Sequence, residues 1–208
     1  VPYTGPEQEV RVLSEDFSSH VAKVEFRDLP GGEARVMDIS IPNLPRGEVA
    51  RAVVTYEVRT RPILPPEEEA TAKLRIPEKP DREVKQHLSA SPFIEVRDKQ
   101  IRSLARDLWR QAEEELEEPT DWQKIEFMYD HVLEIIDYVE GDDKSAITTL
   151  RDTKADCHGR SALFVALCRA NKVPARIVWV DRHAYAEFYL EDEDEKGGWY
   201  PAESAGTR

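Results

Sequence analysis

Three residues in the last third of the chain have side chains that could together carry out acyl transfer. Cys157 opens an apolar segment, His183 opens an alternating segment, and Glu203 follows the sequence W-Y-P-A. A thiol nucleophile, an imidazole base and a carboxylate that orients the imidazole are the groups that catalysis through an acyl-enzyme requires. Spacing alone leaves open a second interpretation, in which these are a buried cysteine, a strand histidine and a surface glutamate.

Cys157 is predicted to be the first residue of a buried helix. The segment from residue 157 to about 170 contains A-L-F-V-A-L-C and is apolar on nearly every side, which is typical of a helix packed on several faces. A helix N-terminus carries partial positive charge and free N–H groups, which stabilise a thiolate and can bind a developing oxyanion. Cys168 lies in the same helix, where we expect it to be an inert apolar side chain.

His183 and Glu203 are predicted to lie on the two strands of one hairpin. After a buried strand at residues 173–180, polar and apolar residues alternate from 183 to 190, and the acidic turn E-D-E-D-E-K-G-G precedes a strand at 199–203. In a simple hairpin centred on residue 193, His183 faces Glu203 with Cβ atoms about 5 Å apart. A one-residue slip would separate the two side chains.

The elements before this segment are predicted to be helices that support it. Apolar residues recur at helical spacing from 98 to about 117 and again up to about 137. Thr120 is expected to cap the second helix in a capping box with Gln123, and Ser145 to cap a short third helix. His131 lies on the second helix without a cysteine or carboxylate cluster beside it, so we expect a structural role.

The chain is predicted to form two domains. Residues 10–76 alternate with period two and are interrupted by turn sequences at 29–32 and 42–47, which favours a small β-sandwich over residues 1–80. Residues 81–97, rich in Pro, Glu and Lys, are predicted to be a linker before a catalytic domain at 98–208. His20 and His87 lie outside the catalytic segment, and we assign neither to a site.

Composition excludes several partners. The formal net charge of −13 repels phosphate backbones, and basic clusters with interleaved aromatics are absent, so no nucleic-acid partner is expected. No apolar run is long enough to span a membrane.

Cys157 and Cys168 would lie about 16 Å apart on one helix, too far for a disulfide. No cofactor is expected: zinc-binding spacing is absent, and the acidic turn lacks the spacing and glycine of a calcium loop.

We assign neither a localisation nor an oligomeric state from this sequence. The chain begins at Val1 rather than at a methionine and ends at Gly-Thr-Arg. We expect residues beyond both ends, including an N-terminal segment that could export the protein or tether it to a membrane.

The segment A-D-C-H-G-R-S-A-L-F-V-A-L-C-R-A-N-K-V-P-A-R-I-V, followed by H-A-Y-A-E-F-Y and W-Y-P-A-E, resembles the transglutaminase-like superfamily, in particular its bacterial members. The resemblance extends from about residue 89 to residue 203. It implies an α+β fold with a papain-like transglutaminase core, in which a buried cysteine-bearing helix packs against an antiparallel sheet. It also accommodates the small β-sandwich-like domain, which some family members carry.

The resemblance implies roles for four residues. Cys157 corresponds to the nucleophile, His183 to the general base and acid, and Glu203 stands where the family has Asp. Tyr138 falls where the family often has an aromatic oxyanion donor. Three departures are Glu203 itself, Ala155 in place of a glycine, and Tyr185 in place of a tryptophan.

Two functions follow as hypotheses. The first is a cysteine-dependent acyl-transfer enzyme that attacks a peptide or glutamine carboxamide and forms a thioester, with hydrolysis favoured over crosslinking. Its partner would be a protein or peptide substrate. The second is a binding or assembly module with weak or no catalysis, motivated by Glu203 and by the added β domain.

Overall fold

The computed structural model describes residues 1–5, 8–29, 34–62 and 64–204. The chain divides into two compact units, Val1–Pro65 and Pro66–Arg208.

The N-terminal unit consists of four strands in two antiparallel pairs. These are β1 (Gln8–Phe17), β2 (Lys23–Asp28), β3 (Arg35–Ser40) and β4 (Ala52–Thr60), with β1 paired to β4 and β2 to β3. A bulge interrupts the first pair between Val12 and Ser14. The strands confirm the period-two pattern, whereas packing of the pairs into a sandwich stays a prediction. The predicted turn at 29–32 lies, after Leu29, outside the described residues.

The segment predicted as a linker belongs to the C-terminal unit. The division falls at Pro65–Pro66, ahead of the expected boundary at residue 80. Short helices α1 (Glu68–Thr71) and α2 (Arg82–Lys85) and a 3₁₀ turn (Gln86–Leu88) follow. Leu74, Val84 and Ile94 are buried, and the first and last of these lie in the hydrophobic core. Single apolar residues among charged ones anchor this segment, and a composition averaged over it does not reveal them.

Three helices then build one side of the core. They are α3 (Lys99–Glu115), α4 (Asp121–Ile135) and α5 (Ala146–Asp152). Thr120 and Gln123 form the predicted capping box on α4. The Ser145 side chain caps α5 by accepting a hydrogen bond from the Thr148 N–H. These caps satisfy N–H groups that the first turn of a helix leaves without intrahelical partners.

The cysteine-bearing helix α6 (Cys157–Ala170) lies at the centre of the unit. It contacts α3, α4, α5 and a sheet with the order β7 (Ala175–Val180), β8 (His183–Glu191), β9 (Gly197–Ala202). Every residue from His158 to Arg169 is buried, as expected for a helix that is apolar all round. A short parallel pair, β5 (Asp137–Tyr138) and β6 (Lys154–Ala155), precedes α6.

The register of the β8–β9 hairpin differs from the predicted one by two residues. Ala186 pairs with Ala202, where a hairpin centred on residue 193 would pair it with Tyr200. A shift of two residues keeps every side chain on its face of the sheet, because side chains alternate with period two. Glu203 therefore remains on the face of His183 but lies diagonal to it.

Candidate active site

Cys157 is the first residue of α6 and is partly exposed. The preceding Asp156 caps the helix by accepting a hydrogen bond from the Gly159 N–H at 3.0 Å. Gly159 is required by close packing, since a Cβ there would lie 2.6 Å from Ala155 Cβ and 2.7 Å from Thr149 Oγ1. The thiol is thus held in the first turn of a helix, where the N-terminus carries partial positive charge.

His183 and Glu203 form a direct pair on the sheet. His183 Nε2 lies 2.7 Å from Glu203 Oε2, so the diagonal position is within reach of the carboxylate. Glutamate has one methylene more than aspartate, which suits a diagonal rather than a directly facing neighbour. With Nε2 donating to the carboxylate, Nδ1 is the nitrogen available for proton exchange with a thiol. The ring of Tyr185 stacks beside His183, with centroids 6.4 Å apart.

Tyr138 is held next to the cysteine by the β5–β6 pair. It is the register partner of Ala155, two residues before Cys157, and the Val139 N–H donates to the Ala155 carbonyl at 2.9 Å. Desolvation raises the pKa of Tyr138, and negative charge on Cys157 raises it further. The phenol therefore stays protonated and able to donate a hydrogen bond.

A buried polar network lies behind these residues. Arg160 donates to the carbonyl oxygens of Ile136 and Ser204, the latter at 2.9 Å. Ser161 Oγ lies 3.0 Å from Ser204 Oγ and donates to the Ala184 carbonyl at 3.5 Å. Ser161 and Ser204 are 0% exposed and Arg160 is 7% exposed. The Tyr129 hydroxyl donates to the Glu203 carbonyl.

This network joins the three segments that carry the predicted triad. Ser161 lies one turn after Cys157, Ala184 follows His183, and Ser204 follows Glu203. The structure thus brings the N-terminal half of α6, the start of β8 and the end of β9 to one place. Sequence analysis missed all of the network. Arg160 was the available signal, because a charged residue in a mostly apolar buried helix must find polar partners.

His158, directly after Cys157, is a second residue that sequence analysis did not single out. It is 2% exposed. Its ring stacks on Trp179 and meets Phe93 edge-on, with centroids 4.9 Å apart in both cases. Its Nδ1 has no hydrogen-bond partner among the described residues, and the nearest carboxylate oxygen, from Asp143, is 3.9 Å away.

The remaining histidines and the second cysteine lie apart from this cluster. His20 Nε2 is 2.5 Å from a Glu48 carboxylate oxygen in the N-terminal unit. Burial lowers the pKa of His131 on α4. Burial, with Arg169 and Arg176 nearby, lowers the pKa of His87 to about 4. Cys168 is 0% exposed, and burial raises the pKa of its thiol.

A cavity of about 180 Å³ borders the acid residue. Its walls are mostly apolar and come from α4, α6, β8 and β9, with Glu126 and Glu203 as the charged residues. Burial and the nearby Asp130 carboxylate raise the pKa of Glu126. No group of three or more His, Cys, Asp or Glu side chains arranged to hold a metal ion occurs among the described residues.

Cys157 lies at the start of a buried helix, beside an antiparallel sheet that carries an imidazole–carboxylate pair. This arrangement is typical of α+β folds in enzymes that use a thiol nucleophile. Residues 102–204 match the family model described as the transglutaminase-like superfamily. The C-terminal unit is therefore transglutaminase-like, and its fold and this family match together support a cysteine-dependent enzyme.

A comparison with solved structures bears on the fold. A crystal structure of a protein from Cytophaga hutchinsonii, proposed to be a cysteine protease, superimposes with a TM-score of 0.64 at 17% identity and covers 97% of this chain and 68% of that one. At this identity the similarity shows the fold alone. A search of proteins with curated functions found no match. Across the described residues, no helix is both long and apolar enough to cross a membrane.

Proposed function

We propose that the C-terminal unit is an acyl-transfer enzyme that hydrolyses peptide or glutamine carboxamides through a thioester on Cys157. In this proposal Cys157, His183 and Glu203 form the catalytic triad, and Tyr138 donates to the oxyanion. The observation that supports it most is the 2.7 Å contact between His183 and Glu203. The residues that follow them, Ala184 and Ser204, are both hydrogen-bonded to Ser161 on the helix of Cys157.

Acylation begins when His183 Nδ1 takes the thiol proton and the Cys157 sulfur attacks the carbonyl carbon. Charge develops on the carbonyl oxygen, where the Cys157 backbone N–H and the Tyr138 hydroxyl can donate hydrogen bonds. Glu203 stabilises the imidazolium. His183 then gives its proton to the leaving nitrogen, the C–N bond breaks, and ammonia or an amine departs from the thioester.

Deacylation uses the same groups in reverse. His183 removes a proton from water, and the oxygen attacks the thioester carbonyl. The C–S bond breaks, the carboxylic acid leaves, and the proton returns to the sulfur. An amine in place of water would give crosslinking. We favour hydrolysis because Cys157 is partly exposed, so water has access to the thioester.

A substrate screen tests this proposal. Ammonia release from glutamine peptides, amine incorporation and peptide cleavage are scored separately for the wild-type protein and for Cys157→Ser. We expect turnover without an added amine, and its loss in Cys157→Ser. Turnover that survives in Cys157→Ser, or incorporation that always exceeds hydrolysis, would contradict the proposal.

A further inference from the structure

Most of the large apolar side chains that are exposed in the C-terminal unit lie near the start of α6 and at the end of the edge strand β7. They belong to the residues that we call the apolar patch, Phe93, Tyr138, Val139, Trp179 and Val180, which are 42% to 60% exposed. Among the described residues of this unit, the one other exposed side chain of this kind is Leu116, at the end of α3. Exposed apolar residues scattered singly need no explanation, whereas a cluster indicates a binding surface.

The apolar patch adjoins the segments that carry Cys157 and His183, two of the three predicted triad residues. Phe93 and Trp179 each contact the ring of His158, the residue after Cys157. Tyr138 and Val139 adjoin Ala155, two residues before Cys157.

On the sheet, Val180 is the register partner of His183. Paired residues of neighbouring antiparallel strands lie on the same face. Trp179, the preceding residue of β7, pairs with Ala184 and faces the other side of the sheet. The patch therefore extends around the edge strand β7, with Trp179 beside His158, the residue after Cys157, and Val180 on the face of His183.

Four acidic residues lie next to the patch. Glu140 follows Val139 and Asp181 follows Val180 in sequence. Asp143 Oδ1 lies 3.9 Å from His158 Nδ1, and Asp156 is the N-cap of α6.

Two basic side chains near the patch lie opposite carboxylates of this chain. Lys144 Nζ lies 2.7 Å from Asp152 Oδ2, and Arg182 Nε lies 3.5 Å from Asp181 Oδ2. With Asp181 opposite Arg182, the negative charge of the rim comes from Glu140, Asp143 and Asp156, and it favours cations and disfavours an anionic lipid surface.

We propose that the apolar patch docks the substrate of Cys157, and that this substrate is a polypeptide segment with large apolar side chains and basic residues beside the reactive carboxamide. This inference rests on the proposed function, because docking at the patch places the segment at the thiol. Apolar and aromatic side chains would cover the patch, as aromatic residues do at the centres of protein interfaces. Lysine or arginine would meet the acidic rim.

Binding to the Cys157→Ser protein tests the inference without turnover. Fluorescence anisotropy compares three labelled glutamine peptides of equal length: apolar with lysines, apolar with glutamates, and a lysine peptide with serines at the apolar positions. We expect the first to bind at least about tenfold more tightly than the others. Added salt should reduce its advantage over the glutamate peptide. Equal affinities would overturn the inference.

Two further variants in the same background locate the binding surface. Trp179→Ala should weaken binding of the apolar lysine peptide about tenfold, as loss of an aromatic interface residue commonly does. Leu116→Ala, which removes an exposed apolar side chain outside the patch, should leave it unchanged. An unchanged affinity in Trp179→Ala, or a dimer in solution that this substitution converts to a monomer, would contradict docking of substrate here.

Failure of the inference can be told apart from failure of the proposed function. Selective binding without turnover by the wild-type protein would retain the docking surface and contradict the enzyme. Turnover without preference among the three peptides would retain the enzyme and overturn the docking surface.

Discussion

The two units differ in what holds them together. In the C-terminal unit, α6 is buried from His158 to Arg169 and contacts three helices and three strands. In the N-terminal unit, none of the described residues is buried, and its strands form two separate two-stranded sheets. Strand-like alternation is therefore enough to pair strands but not enough to build a core. The predicted catalytic residues lie in the unit that has the core.

The difference matters for function because catalytic side chains must be held within a fraction of an ångström. Isolated two-stranded sheets are marginally stable in water. A rigid helix with Leu163, Phe164 and Val165 each 0% exposed can hold Cys157 in place.

Separating the units gives the largest expected effect. Residues 66–208, expressed alone, should unfold cooperatively on heating because they contain the whole described hydrophobic core. Residues 1–65 alone should show no cooperative transition. Circular dichroism during thermal unfolding measures both. A cooperative transition in residues 1–65, or its absence in residues 66–208, would show that the two units do not differ in this way.

Single substitutions sharpen the same contrast. Phe164→Ala should lower the free energy of unfolding by about 4 kcal/mol, since it opens a cavity at a residue that is 0% exposed. The matched change in the N-terminal unit is Val53→Ala, which removes a side chain that is 43% exposed and should cost less than about 1 kcal/mol. Chemical denaturation of both variants provides the measurement, and similar losses would show that burial does not separate the units.

Loss of one hydrogen bond in the buried polar network should lower the free energy of unfolding by a smaller amount. Ser204→Ala leaves Ser161 Oγ without its 3.0 Å partner, which should cost about 1 to 2 kcal/mol. Ser14→Ala, on an exposed part of β1, is the control and should cost little. If Ser204 also positions Glu203, kcat should fall in Ser204→Ala while KM changes little. A stability loss with kcat unchanged would limit Ser204 to a structural role.

The sequence predicted the helices of the C-terminal unit and their caps better than it predicted the register of the β8–β9 hairpin. The apolar character of residues 157–170, the Thr120 capping box and the Ser145 cap are local signals, and the structure has each of them. The hairpin register depends on how the acidic turn closes, where Glu195 takes a positive φ of 59°. Alternation identifies the face of Glu203 but not its position along the strand.

Contacts distant in the sequence were the part that could not be predicted. Nothing local to Arg160 specifies Ser204 as a partner, and the buried anchors around Ile94 are single residues among polar ones. Both the network and the boundary at Pro65–Pro66 depend on tertiary packing. Period and composition do not report such packing.

The smallest predicted effect is the pH-dependent contribution to stability of His87, which lies in the segment predicted to be a linker. The folded-state pKa of His87 is lowered from 6.5 to about 4, so the unfolded chain takes up the proton first as the pH falls. Stability from neutral His87 is present above pH 6.5 and is lost between pH 6.5 and pH 4.

Because His87 is only half-buried, we expect this contribution to be about 1 kcal/mol after screening by solvent. His87→Gln should reduce the loss of stability between pH 7 and pH 4.5 by this amount, as measured by urea denaturation. An identical pH dependence in wild type and variant would contradict the assignment of His87 to the folded C-terminal unit.

The central claim is that Cys157 and His183 act as a pair, and alkylation by iodoacetamide tests it most directly. Mass spectrometry gives the labelling rates of both cysteines at pH 8 and pH 6. An ordinary thiol slows by about 80-fold over this interval because its thiolate disappears. We predict that Cys157 slows by less than about tenfold, that this resistance is lost in His183→Ala, and that buried Cys168 hardly reacts. Equal, slow labelling of both cysteines, unchanged in His183→Ala, would contradict the account.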